Sequence, residues 1–333
     1  MSGPRRFAVA RGRFSPSKST GEVRLLAFPS PSLSPPSLAN FQWQYNGLTL
    51  GAETPFGVLN VEGMDLPDIR NGDVNLPRDH GQLLGLDVLG GNDITFALWM
   101  KTDELSLQAS QLALAEATVV RPGEEIPLWF QLPNLPLLCV MCRPRKRPMK
   151  VDSDYAAANI GKPELTLHAT DPRFYAPGEA LTLTLATPSG GLKFPVTFPV
   201  TFSSTTPSSV TVANGTMEMR PRVIFTGPLT NPAIENATIS GEPHLQVVNP
   251  EQSGYTVLSG DQLLLDLGVP HLALYYQGGV TSGNTPTDVM SWVTAASTWW
   301  DLLPGSNTVR FYSADSFNTA GTCTFQFAPA YVI

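Results

Sequence analysis

The stretch WWDLLPGSNTVRF, residues 299–311, combines two tryptophans, a Pro-Gly pair and an alternating apolar run. Pro304 and Gly305 fit the central positions of a type II turn, because proline presets φ and glycine accepts a positive φ. The residues that follow alternate between apolar and polar through Phe311, which predicts a half-buried strand. The tryptophans before the turn are large enough to anchor a core. We therefore interpret this stretch as a corner near the end of an all-β domain.

The composition favours a turn-rich protein with a substantial core. Hydrophobic residues make up 42% of the 333 residues, and charged residues only 15%. The 31 prolines and 28 glycines indicate many turns and few long helices. From the length we expect about two domains.

Charge and cysteine content argue against several classes of function. The formal net charge of −7 disfavours nucleic acid as the main partner. Three cysteines do not make a disulfide framework, which predicts a reducing compartment. No apolar run approaches the ~20 residues of a membrane span, and the basic N-terminus lacks the apolar stretch of a secretory signal. We expect no direct nucleic-acid recognition, no membrane insertion and no cofactor.

Residues 1–39 form a basic arm that is rich in serine and proline. The arm contains six basic residues and one acid, Glu22, whereas the rest of the chain is acidic. It cannot bury enough apolar surface to fold alone, so one interpretation is an unfolded tail. The alternative hypothesis is that the arm orders on the acidic outer face of an adjacent subunit. On that hypothesis the candidate assembly contacts are Arg5, Arg6, Arg11 and Arg13.

The remaining chain predicts a mainly β protein in two domains, 40–176 and 177–333. Short runs separated by glycines, among them Gln82 to Val88, predict antiparallel strands in the first domain, with Asn46-Gly47 as a hairpin turn. One helix is expected to begin near residue 103 and to end before Pro122. We place the boundary near Ala176-Pro177-Gly178. Beyond it, strand signals at about ten-residue spacing predict a sandwich or jelly roll.

A basic cluster at residues 143–147 supplies four further candidate assembly contacts, Arg143, Arg145, Lys146 and Arg147. One interpretation is a docking surface for an acidic partner or nucleic acid, and a nuclear-localisation signal also matches the pattern. The alternative is a solvated strand edge that charge and proline protect from aggregation.

The sequence contains no recognisable catalytic motif, so we do not expect an enzyme. It has no nucleophile elbow, zinc-protease motif, phosphate loop or dinucleotide fingerprint. Cys139 and Cys142 form a C-x-x-C without the strand-to-helix context of a redox site, and we expect buried free thiols. Aromatic side chains suggest a possible sugar-binding surface, with core packing as the alternative interpretation; the candidate glycan contacts are Tyr275, Tyr276 and Trp292.

Ten sequence blocks, in order, carry a resemblance to a known family. They are VEG (61–63), DIR (68–70), LPRDHG (76–81), GLD (85–87), ITF (94–96), RPRKRP (143–148), LTLHATDPRFY (165–175), IFTGPLTNPAI (224–234), GDQLLLD (260–266) and the tryptophan-turn stretch 299–311. From residue 40 onward the chain resembles the siphovirus-type tail component family, the distal tail proteins (minor tail proteins) of long non-contractile phage tails. The arm has no counterpart in that family.

The resemblance implies a structural role in the virion. It implies that residues 40–176 are a belt domain forming a ring of six copies around the tail channel, and that residues 177–333 are a galectin-like β-sandwich outside the ring. The ring would lie at the distal end of the tail, after assembly in the host cytoplasm. Its implied partners are copies of itself, the tail-tube protein, the tape measure protein and a tail-tip hub or tail-associated protein. The alternative function is a tail-tip protein that binds host cell-wall carbohydrate through its sandwich.

Overall fold

A computed structural model describes most of the chain after the arm. The described residues are 34–78, 80–101, 104–185, 208–250, 255–314 and 321–333. The protein is mainly β, as the sequence predicts.

The strands up to residue 175 are β1 (Gln42–Tyr45), β2 (Leu48–Gly51), β3 (Gly57–Glu62), β4 (Ile69–Arg70), β5 (Val74–Asn75), β6 (Gln82–Leu83), β7 (Val88–Leu89), β8 (Asn92–Lys101), β9 (Ile126–Gln131), β10 (Leu138–Lys146), β11 (Met149–Lys150), β12 (Ile160–Ala169) and β13 (Phe174–Tyr175). The later strands are β14 (Glu179–Thr184), β15 (Ser208–Asn214), β16 (Arg222–Thr226), β17 (Ala233–Asn236), β18 (His244–Gln246), β19 (Gln262–Asp266), β20 (Leu272–Tyr276), β21 (Thr287–Asp288), β22 (Gly305–Tyr312), β23 (Thr322–Phe327) and β24 (Ala330–Tyr331). The helices are α1 (Glu104–Ala117), α2 (Ser153–Ala158) and a 3-10 turn (Met290–Trp292).

The first sheet contains ten strands, with the main order β2-β1-β9-β10-β12-β8-β3. All of its pairings along this path are antiparallel. Asn46 and Gly47 both have positive φ, 47° and 83°, as the central residues of a type I′ hairpin turn require. The predicted hairpin between β1 and β2 is therefore confirmed.

Helix α1 covers part of the first sheet's core. Leu107 and Leu114 lie two turns apart and are buried with Phe96 of β8 and Phe130 of β9. The position of this helix agrees with the sequence prediction. The six-residue helix α2 was not predicted; the carboxylate of Asp152 accepts a hydrogen bond from its first turn, the usual stabilisation of a helix N-terminus.

The second half of the chain forms a β-sandwich. A six-stranded sheet, β14-β23-β16-β19-β20-β21, faces a four-stranded sheet, β15-β22-β17-β18. Their inner faces share one apolar core. Within it Phe225 of the larger sheet stacks on Phe311 of the smaller, with ring centroids 5.8 Å apart. Two packed antiparallel sheets bury one face each and leave the other available to solvent.

The corner at residues 299–311 is fixed by a buried asparagine. Gly305 has a φ of 86°, which fits the expected turn. The side chain of Asn307 is fully buried; its Oδ1 accepts from the Leu303 amide at 2.9 Å and its Nδ2 donates to the Leu303 carbonyl at 2.7 Å. Trp300 is buried in the sandwich core, as the core-packing interpretation of this stretch expects.

The end of the described chain returns to the first sheet. Strand β24 pairs with β13, which also pairs with β10. The side-chain oxygen of Asn214 accepts from the Ala330 amide at 3.0 Å and helps to hold this strand. Trp129, Cys139 and Tyr175 of the first sheet belong to the sandwich core. The two cores therefore meet at these residues. The domain boundary near residues 176–178 stays a prediction.

Candidate assembly surface

Residues 65–90 leave the first sheet as a narrow ribbon. Within it β4 pairs only with β7, and β5 pairs only with β6. Two short two-stranded ladders of this kind are marginally stable at best in water on their own. The ribbon therefore depends on its attachment to the first sheet and on its internal hydrogen bonds.

The ribbon exposes an unusual number of large apolar side chains. Leu84 is 92% exposed and Leu86 is 79% exposed. The further exposed apolar side chains of the ribbon are Leu66, Ile69, Val74, Leu83 and Val88. Single exposed apolar residues are ordinary, whereas a large exposed apolar patch is typical of an interaction surface.

Two glycines let the strands of the ribbon touch at its middle. A Cβ on Gly85 would lie 2.1 Å from the backbone of Gly72, so no side chain fits there. Beside this crossing the carboxylate of Asp73 accepts a hydrogen bond from the Gly85 amide at 2.8 Å. The sequence pattern predicts one strand from Gln82 to Val88; the structure divides it into β6 and β7 because the chain is diverted at Gly85.

The ribbon also bears more carboxylates than cations. Among its described residues, four aspartates accompany two arginines: Asp65, Asp68, Asp73 and Asp87 with Arg70 and Arg78. No ion pair within the described chain involves any of these six residues. The ribbon is therefore an apolar segment with an acidic margin.

A separate open groove lies along the outer side of α1. It has a volume of about 450 Å³ and is lined by Gln108, Gln111, Leu112, Ala115, Arg147 and Met149. Leu112 is 70% exposed although it lies in a helix whose opposite face is core. Gln111 is fixed in place by donating to the Tyr155 hydroxyl at 3.0 Å. The groove therefore has an apolar floor, a positioned amide and one cation at its rim. We call it the α1 groove.

The basic cluster lies on the second half of β10 and the turn after it. Strand β9 pairs with β10 only up to Cys142, so the following residues have strand β12 on one side alone. Arg145, Lys146 and Arg147 are exposed, and Arg143 is half-buried with its Nε atom lacking a hydrogen-bond partner. No carboxylate of the described chain forms an ion pair with the cluster. Both interpretations of the cluster, docking surface and solvated edge, fit this position.

The candidate arm contacts Arg5, Arg6, Arg11 and Arg13 lie outside the described residues. The structure therefore does not bring them into relation with the basic cluster.

The candidate glycan contacts do not converge on one surface. Tyr275 is buried, donates from its hydroxyl to Asp261 at 2.6 Å and packs edge-on against Trp292. Burial, followed by that hydrogen bond, raises the pKa of Tyr275 to about 12. Tyr276 follows directly in β20 and points to the opposite face of the sheet. Carbohydrate binding through these three residues stays a prediction.

The three cysteines are free and buried, as expected of Cys139 and Cys142. Cys139 belongs to the sandwich core and Cys142 to the core of the first sheet, so the C-x-x-C pair faces two different interiors. Burial raises the pKa of all three thiols.

The described residues offer neither a metal site nor a membrane-spanning helix. Within those ranges no three His, Cys, Asp or Glu side chains are grouped to hold a metal ion. Nor is any helix there long and apolar enough to cross a membrane.

Comparison with solved structures identifies a similar fold. The crystal structure of the Dit protein (gp 19.1) of phage SPP1, described as a paradigm of the hub adsorption apparatus in phages that infect Gram-positive bacteria, matches with a TM-score of 0.57. The match covers 87% of this chain and 98% of that one at 16% identity. The two proteins share a fold. Phage P2 baseplate structures, with Ca and with Sr, match with TM-scores of 0.48 and 0.47, each at 10% identity over 86% of this chain and 97% of theirs. No protein-family model and no curated protein matches the sequence.

The sequence pattern did not single out the ribbon leucines as functional. The segment GQLLGLDV at residues 81–88 contains three leucines and two glycines, and its apolar and polar residues do not alternate regularly. In a strand that is buried on one face, apolar residues recur at every second position, and in this segment they do not.

Proposed function

We propose that this protein is a structural component of a phage tail tip that assembles with copies of itself into a ring. The ring, of six copies in our proposal, joins the tail tube to the tip or baseplate and supports the parts that meet the host. Residues 40–176 act as the ring-forming belt, and residues 177–333 act as a galectin-like sandwich on its outside. The tail-tube protein, the tape measure protein and a tail-tip hub protein are the proposed partners.

The observation that carries the proposal is the exposed apolar ribbon. A chain that remained alone in water would leave these side chains and two ladder edges uncovered, which favours aggregation. Repeated contact between identical copies covers the ribbon of each one, and a head-to-tail contact that closes makes a ring. The fold shared with the SPP1 protein supports a phage setting for such a ring.

A second argument concerns the charge of the body. The chain is acidic overall, with a formal net charge of −7. An acidic ring repels DNA that passes through its bore, because like charges repel. This agrees with a scaffold and not with a protein that holds nucleic acid.

Mass measurement and negative-stain imaging of the purified full chain test the proposal. We expect a discrete oligomer that images as rings. A chain that stays monomeric across the micromolar range, with no rings on the grid, would refute self-assembly. Binding of the intact protein to host cell-wall polysaccharide without oligomers would favour the carbohydrate-binding alternative.

A further inference from the structure

We propose that the ribbon of one copy inserts Leu84 and Leu86 into the α1 groove of a second copy. This inference rests on the proposed self-assembly and adds the surface that receives the ribbon. It makes the contact heterologous, because the ribbon and the groove are different parts of the chain.

The first argument is apolar complementarity. The ribbon presents two leucines that are almost free of contact, and the groove presents Leu112, which is 70% exposed, beside the half-buried Met149. No ribbon residue lines the groove of its own chain. Burial of one apolar surface against the other removes both from water, which is the main driving force of association.

The second argument is size. The groove has a volume of about 450 Å³. A protein cavity of ~150 Å³ is enough to hold a benzene ring, so the groove has room for two leucine side chains. It is open along the helix, and an extended segment is narrow enough to enter from the side.

The third argument is charge complementarity. Arg147 lines the groove, and the rest of the basic cluster precedes it in the chain without any carboxylate partner among the described residues. Asp87 follows Leu86 directly and likewise has no cation partner there. Docking of the leucines brings acidic and basic margins together, which steers association and selects the register of the contact.

Cysteine pairing between two differently substituted chains tests this geometry. One chain carries Leu84→Cys and the other Leu112→Cys, and the two full-length chains are mixed under reducing conditions before mild oxidation. The native thiols do not interfere, because Cys139, Cys142 and Cys323 are buried and their pKa is raised. The matched control pairs Leu112→Cys with Val269→Cys, an exposed position on the sandwich.

We expect the mixed Leu84/Leu112 pair to give a covalent dimer as the main product, several-fold above the control. Oligomer size is measured on the same samples before oxidation. Normal oligomers with cross-linking at the control level would overturn the groove as the receiving surface while leaving self-assembly intact. Absence of oligomers in the unsubstituted protein would overturn both proposals.

A charge exchange gives an independent readout. Arg147→Glu should weaken assembly about two- to fivefold, the range for an exposed ion pair, and Asp87→Arg in the same chain should restore part of the loss. A failure of Asp87→Arg to restore any of the loss caused by Arg147→Glu would count against the charge argument.

Discussion

Replacing the two most exposed ribbon leucines should separate folding from assembly. The double change Leu84→Ser and Leu86→Ser removes apolar side chains that touch little within the chain itself. Full burial of one leucine is worth about 1.5–3 kcal/mol, so covering the exposed 92% and 79% is worth about 2.5–5 kcal/mol per contact. At ~1.4 kcal/mol per tenfold, the dissociation constant of each contact should rise roughly a hundredfold to several thousandfold.

Sedimentation velocity across a protein concentration series measures this effect. The wild-type chain should remain oligomeric at concentrations where the variant is monomeric. The matched control is Leu258→Ser with Val269→Ser, two exposed apolar positions on the sandwich, which should assemble normally. Urea unfolding of the monomeric variant should change by no more than about 0.5 kcal/mol, as for ordinary surface substitutions.

Two results would refute this reasoning. If the ribbon variant and the sandwich control assemble equally well, the ribbon is not the contact. If the ribbon variant loses several kcal/mol in urea unfolding, the leucines stabilise the single chain and are not a free docking surface.

Three further predictions follow from features outside the leucine pair. Deleting residues 1–39 should weaken assembly, most strongly at low salt where charges are least screened; an unchanged oligomer at low ionic strength would end the hypothesis that the arm binds a neighbouring copy. Gly85→Ala should place a methyl group against the backbone of Gly72 and reduce assembly by displacing the ribbon, with urea unfolding of the two cores unaffected; normal sedimentation of this variant would contradict the close crossing. Asn307→Ala should lower the free energy of unfolding, measured in urea, by about 1–3 kcal/mol, because it leaves the Leu303 amide without its partner in a buried corner. A loss smaller than the lower limit of this range would mean that water replaces the side chain.

Local pattern was sufficient to predict much of the sandwich. Residues 307, 309 and 311 are buried and their neighbours are not, so alternation alone placed β22. The turn at Asn46-Gly47 was readable for the same reason, since two consecutive positive φ angles suit few residue pairs. In both cases the interactions that decide the local structure lie between residues that are close in sequence.

The candidate site could not be found in this way. The division of the ribbon at Gly85 depends on the backbone of Gly72 thirteen positions earlier, and no local pattern reports that approach. The α1 groove likewise joins Leu112 on a helix to Arg147 and Met149 beyond β10. A surface made of distant segments can be recognised only from the tertiary structure, although the sequence of each segment is known beforehand.

The pairing of β24 with β13 constrains the order of events during synthesis. Residues 330 and 331 emerge from the ribosome only after every other described strand, yet they complete the edge of the first sheet. Domains usually fold as the chain emerges, beginning at the N-terminus, but here the early sheet has to wait for the last strand. A nascent or prematurely terminated chain thus lacks the last strand of this sheet, and the self-assembly that we propose would wait until translation has passed this point.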